Sequence, residues 1–144
     1  MLKQTSNNIE YDCWLQEQID CLKSQNFTGL DLKNLIEELE SLGRAEKSAV
    51  KSLVFQILLH LLLVDFWTEQ AEWNRNHWKG EIIAFKFQLS NRLTTNYKKL
   101  LAESKRDIYG FARASAIAKT GLSSDRFPEI CPYTLEDLID ENDR

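Results

Sequence analysis

Leu53-Val54-Phe55-Gln56-Ile57-Leu58-Leu59-His60-Leu61-Leu62-Leu63-Val64-Asp65-Phe66-Trp67 is the stretch from which the rest of this chain can be read. A helix that is apolar along one stripe lies on a surface, whereas one that is apolar nearly all round must be enclosed. Only Gln56, His60 and Asp65 interrupt this run. It predicts an all-α fold, a helical bundle around one long, nearly all-round apolar central helix. A membrane span needs about twenty apolar residues. The run is only about fifteen residues, contains Gln56 and His60, and has Asp65 and Glu69 at its end, so the expectation is a buried core helix and no membrane.

Upstream, Leu32, Leu35, Ile36, Leu39 and Leu42 form a stripe at helical spacing, with Asp31 placed to cap it. The stripe keeps its phase across Gly43 through Ala49, Val50 and Leu53, and no turn dipeptide follows. An interior glycine costs about 1 kcal/mol against alanine. One helix from Asp31 to about Gln70 is therefore expected, roughly 60 Å long, with one end projecting or pairing with another subunit. Before it, Tyr11, Trp14, Leu15, Ile19 and Leu22 mark a helix from Ile9 to about Ser24, capped by Asn7 or Asn8. Phe27, in the turn that follows, is expected to tuck back into the core.

Downstream, the asparagines predict a break around residues 73–77, then a helix from His77 to about Asn91. The alternation Phe85-Lys86-Phe87-Gln88-Leu89 has no partner strand elsewhere, so it reads as helix. Thr94, Thr95 or Asn96 opens a short helix through Leu101, and a longer one follows through Ile108 and Ile117 to a stop at Gly121. Phe127-Pro128 and Cys131-Pro132 restrict the backbone of a loop. Thr134 caps a last turn. The organisation read from this pass is a flexible tail over 1–8, one helical domain over 9–139 and an acidic tail over 140–144.

Of the 144 residues 43% are hydrophobic and 28% charged, an ordinary globular balance. The net charge of −4 argues against a dedicated nucleic-acid binder, which usually carries a basic stripe. Cys13, Cys21 and Cys131 have no paired spacing, and the opening residues lack the apolar core of a secretion signal. Reduced thiols in the cytoplasm are expected.

The chemistry-bearing residues are few. Glu37 and Glu40 sit three apart on one helix face, and His60 lies among leucines, where an unpaired polar group would cost a few kcal/mol. These three are the candidate catalytic residues, as general acid and base. The enzyme reading needs a fold-back at Gly43, or a second subunit, to bring them together. The bland alternatives are a solvated acidic face with ion pairs such as Glu40–Arg44, and a core histidine bonded to a neighbour. Trp67, Trp73 and Trp78 fall within twelve residues beside Arg75 and Lys79. They could stack bases, bind a partner, or seal one end of the bundle. No zinc spacing, glycine-rich phosphate loop or nucleophile elbow is present, so no metal and no cofactor is expected.

Three blocks together resemble a known family: Asp31-x-x-Asn34-Leu35-Ile36-Glu37-Glu38-Leu39-Glu40-Ser41-Leu42-Gly43-Arg44, Leu58-Leu59-His60-Leu61-Leu62, and Phe127-Pro128-x-x-Cys131-Pro132-Tyr133-Thr134. With Trp14 and Gln18 they resemble the bacterial, mainly cyanobacterial, domain-of-unknown-function family number 29, over about Tyr11 to Ile139. The resemblance implies an all-α fold and no assigned activity. It marks Asn34, Glu37, Glu38, Glu40, Gly43, His60, Pro128, Cys131, Pro132 and Tyr133, and leaves His77 off the pattern. The expected function is a small cytosolic protein-interaction module, binding another protein or a second copy of itself, with Trp67, Trp73, Arg75 and Trp78 as candidate contact residues. A hydrolytic or nucleolytic enzyme using Glu37, Glu40 and His60 is one alternative. Nucleic-acid binding through the tryptophan cluster is the other.

Overall fold

The computed structural model describes residues 7–140. The expected tail up to position 6 and the acidic end from Glu141 onward lie outside the described residues. Among these the helices are α1 (Asn7–Lys23), α2 (Leu32–Phe66), α3 (Thr68–Ser90), α4 (Thr95–Thr120) and α5 (Leu135–Ile139), with 3-10 turns at Phe27–Gly29 and Ser124–Arg126 and no strand. The all-α expectation holds, and the alternating segment at 85–89 is helical. Asn7 and Asn8 lie within α1, where the expected start was Ile9.

The fold consists of two compact units divided between Arg44 and Ala45. α2 contributes to both and runs without a turn through Gly43, as its unbroken phase predicts. It ends at Phe66, four residues early. The chain turns on Trp67 alone, whose φ of −94° and ψ of 65° leave the helical region, and α3 starts at once. The break expected at 73–77 is absent: Asn74 and Asn76 are interior to α3. Asparagine disfavours a helix interior by only tenths of a kcal/mol. Trp67 is instead held by its ring, stacked on Trp78 with centroids 5.6 Å apart.

In the second unit the apolar run is walled in, as expected. Val50, Val54, Ile57, Leu58, Leu62 and Leu63 have no exposed surface, and Leu53, Leu59, Leu61 and Val64 are also buried. Trp78, Ile82 and Leu89 of α3 join the same core, with Leu101, Ile108, Tyr109, Ala112 and Ala116 of α4. By length and composition α2 could cross a bilayer, but half of that apolar stretch is buried within the protein.

α4 is one helix where two were expected. The polar run Glu103–Asp107 contains no glycine or proline, and Leu101 and Ile108 stay on one buried stripe seven residues apart. Thr94 caps it, its side chain accepting from Tyr97 N, and Gly121 closes it in the left-handed region at φ 70°. The segment after Gly121 sends Phe127, Tyr133 and Leu138 into the core. Several polar bonds pin it there. Tyr109 Oη donates to Pro128 O, Lys105 Nζ to Tyr133 O at 2.8 Å, and Tyr133 Oη to Asp65 Oδ2 at 2.7 Å. Thr134 and Asp137 form a reciprocal capping box at the start of α5.

Candidate interaction surface

The first unit is built differently. α1 and the opening of α2 form a hairpin joined by polar contacts. The Gln18 side chain accepts from the Asp31 backbone N–H at 2.8 Å, and Trp14 Nε1 donates to Asp31 Oδ2 at 3.1 Å. Asn34 donates to the same carboxylate, and Asn34 and Trp14, in that order, hold Asp31 below the usual carboxylate range. Tyr11 Oη donates to Glu38 at 2.6 Å, which raises the phenol's pKa.

Among the described residues of this unit Gln18 is the only buried side chain, and no apolar residue is buried. The stripe on α2 is open: Leu32, Ile36, Leu39 and Leu42 are 57, 53, 59 and 53% exposed. Leu22 and Phe27 are open too. The expectation that Phe27 returns to the core is corrected, since it stands 60% exposed at the hairpin turn. Hydrogen bonds join the two helices here, and the apolar stripe stays more than half exposed.

Glu37 and Glu40 are exposed on this part of α2. The expected Glu40–Arg44 ion pair is not formed. The ion pairs that do form include Arg92–Glu46 and Arg126–Glu69. Exposed pairs contribute at most about 1 kcal/mol, so the absence costs little.

His60 belongs to the second unit and is half-buried. Its Nδ1 lies 2.7 Å from Gln56 O, a bond inside its own helix, and its ring packs against Phe85 at 5.4 Å. A carbonyl can only accept, so Nδ1 carries the proton of the neutral ring. Among the described residues no carboxylate is hydrogen-bonded to it, and α2 is helical through Gly43. Burial pushes the His60 pKa down from its ordinary 6.5, partly offset by the Gln56 carbonyl and Glu81. The unfolded chain therefore binds the proton more readily than the folded one. Stability from this group is complete above pH 6.5 and is lost as the pH falls through that value towards the folded pKa. Urea titrations at pH 7.5 and 5.5 should show a smaller drop in stability for His60→Gln than for the wild type. An equal drop would remove His60 as the source.

Of the clustered tryptophans, Trp78 is buried and Trp67, stacked on it, is half-buried, while Trp73 is 83% exposed. Arg75 is exposed and Lys79 half-buried. Farther along α3, Ile83 and Phe87 are also open. A groove of about 840 Å³ opens between α2 and α4, with Lys47 and Lys51 on one lip, Asp107 on the other, and Phe55, Ile108 and Phe111 as apolar lining. Its mixed charges select no ligand class.

Cys131 Sγ donates weakly to Tyr133 O at 3.5 Å, and burial raises its pKa, which disfavours the reactive thiolate. Tyr109 is pushed up to about 12 by burial and by Cys131. These groups, with Pro128 and Tyr133, hold the closing segment against the core. Among the described residues no group of three or more His, Cys, Asp or Glu side chains is placed to hold a metal.

The exposed hairpin face was only half legible beforehand. The stripe was visible in the spacing, but the sequence carries no direct mark of whether another element covers it. One signal was available in the charge distribution. Residues 1–44 contain eight acidic and four basic residues, and residues 45–144 contain fourteen of each, so the entire net charge of −4 falls in the first unit.

The family model described as "Domain of unknown function DUF29" matches residues 8–142. No curated protein and no solved structure matches the chain.

Proposed function

This chain belongs to the DUF29 family, whose description assigns no activity, and we propose that it is a protein-interaction module whose docking face is the apolar side of the α1–α2 hairpin. One observation carries the reading: the first unit buries no apolar side chain among its described residues and exposes Leu32, Ile36, Leu39 and Leu42 in a row. Single exposed leucines are ordinary, but contiguous ones mark interaction sites. Covering a leucine or isoleucine that is already half-buried contributes on the order of 1 kcal/mol, so such a row can drive association. The proposed setting is the cytoplasm, where the free thiols, including exposed Cys13, stay reduced.

The test is a pair of charged substitutions, Ile36→Glu with Leu39→Glu. Both sites are already more than half exposed. The helical signal and melting curve should barely move, within about 0.5 kcal/mol for each surface site. Recovery of bound protein from native lysate on the immobilised variant should fall at least about tenfold, the equivalent of 1.4 kcal/mol. An unchanged set of captured proteins would remove this face as the docking site.

A further inference from the structure

We propose that a second copy of this chain covers the outward face of α3, the two helices crossing antiparallel at Gly80. This surface lies wholly in the second unit and does not depend on the hairpin face. Counting about 100° of rotation per residue, Trp73, Asn76, Gly80, Ala84 and Phe87 fall within about 40° of one line along α3. All of them are exposed, Trp73 by 83% and Phe87 by 61%, and Ile83 at the border of the line is 58% exposed. A surface helix ordinarily turns charge towards water. This line carries none between Glu69 and Asn91. Lys79 and Glu81 stand about 100° to either side of Gly80 and stay clear of it.

The line is its own complement, and this selects a second copy as the occupant. About a two-fold axis at Gly80, a residue so many places before the glycine meets the one as many places after it on the other helix. Trp73 and Phe87 both lie seven residues from Gly80, so an aromatic pair forms at each end of the contact. Ala84 then lies beside Trp73 of the other copy and leaves room for the larger ring. Gly80 meets itself, and the missing side chain lets the helices approach to about 8 Å at a shallow angle of about 20°. Within one chain nothing calls for glycine there. Its φ is not positive, and a Cβ would meet no atom within 4 Å, although an interior glycine costs about 1 kcal/mol against alanine. Gly43 and Gly110 have the same room, but neither stands midway between two exposed aromatic rings. The lack of charge along the line also removes the repulsion that a charged surface meets in pairing with itself.

The area fits a reversible dimer. Trp73, Ile83 and Phe87 each leave on the order of 100–200 Å² uncovered, and the smaller residues between them add about 100 Å² together. Over both copies this gives roughly 1,000–1,200 Å², the lower limit for specific pairing. A dissociation constant in the micromolar range is therefore expected.

The experiment is sedimentation equilibrium of the full chain from about 5 μM to about 1 mM, a range that brackets such an affinity. The average mass should rise with concentration from 16.8 kDa towards twice that value. Gly80→Arg should weaken pairing at least about tenfold, since it sets two like charges and two long side chains at the axis. Arginine favours a helix over glycine, and the site is open, so the melting temperature of this variant should not fall. Ile36→Glu with Leu39→Glu, on the hairpin face, should leave the dissociation constant unchanged. Orientation is read by cross-linking. Chains carrying Trp73→Cys, mixed with chains carrying Phe87→Cys and oxidised with diamide, should link to one another through the two introduced thiols, as mapped by mass spectrometry. Neither variant alone should link through its introduced thiol, because equivalent positions lie about 20 Å apart in the antiparallel pair.

A mass that stays at 16.8 kDa throughout would overturn the proposal. So would a dimer that Gly80→Arg leaves intact, or one that Ile36→Glu with Leu39→Glu abolishes, since the pairing would then run through another surface. Self-linking of either cysteine variant through its introduced thiol would overturn the antiparallel arrangement and the complementarity on which it rests. A chain that stays monomeric, yet loses captured lysate proteins on Gly80→Arg, would give this face to a different protein and remove the second copy as its occupant.

Discussion

Truncating Leu62 to alanine should lower the stability of the second unit by about 3 kcal/mol, within the 2–5 typical of a fully buried leucine. Leu62 has no exposed surface and stands in the middle of the run that α3, α4 and the closing segment enclose. The loss has two parts: the transfer free energy of the removed carbons, and the void that a close-packed core cannot fully close. Leu39→Ala is the matched control. The same atoms are removed from a site already 59% exposed, so the cost should stay below about 1 kcal/mol. Urea unfolding followed by tryptophan fluorescence measures the difference, because the stacked Trp67 and Trp78 report on the second unit. Comparable losses at the two positions would mean that the central run is not the core.

Phe127→Ala is expected to be at least as damaging, about 4 kcal/mol, with a fall in melting temperature upwards of about 15 °C. Phe127 is 1% exposed and meets the edge of Phe66 at 6.2 Å, so it seats the closing segment against the end of α2. The Arg113 side chain donates to the carbonyls of Phe127 and Ser124, and Arg126 donates to Phe66 O and Glu69. These polar bonds lie at or near the surface and cannot replace the buried ring. Loss of the ring should release the segment first. Hydrogen exchange should then show the amides of α5 losing protection before those of α2. Simultaneous loss in both helices would show that the segment and the core open as one unit.

The central helix was legible because its residues leave only one place for it. Twelve nearly unbroken apolar positions cannot face water, and no glycine or proline interrupts them. The left-handed stop at Gly121 and the cap at Thr134 were legible for a local reason, since each depends on the chemistry of one or two residues. Positions that depend on distant partners were not. Trp67 turns the chain in place of Asn74 or Asn76 because of a ring eleven residues away, and nothing in its immediate neighbours announces this. Phe27 looks like a core residue in any local window, yet the hairpin to which it belongs is joined by Gln18, Trp14 and Tyr11 through hydrogen bonds and fully buries no apolar side chain among its described residues. The same circumstance hid the exposure of the α2 stripe, whose leucines match those of a core helix in spacing and differ only in how much of their surface is covered.

The closing segment also bears on how the protein is made. Phe127, Tyr133 and Leu138 complete the wall around residues 53–64, yet they leave the ribosome after everything they cover. At about 5–20 residues per second, the seventy or so residues between Val64 and Leu138 take several seconds to synthesise. For that interval the nascent chain holds a leucine-rich helix whose enclosure is incomplete, and a message truncated before codon 127 would leave it so permanently. Chaperone binding should peak in that window, and products ending there should be recovered as aggregates.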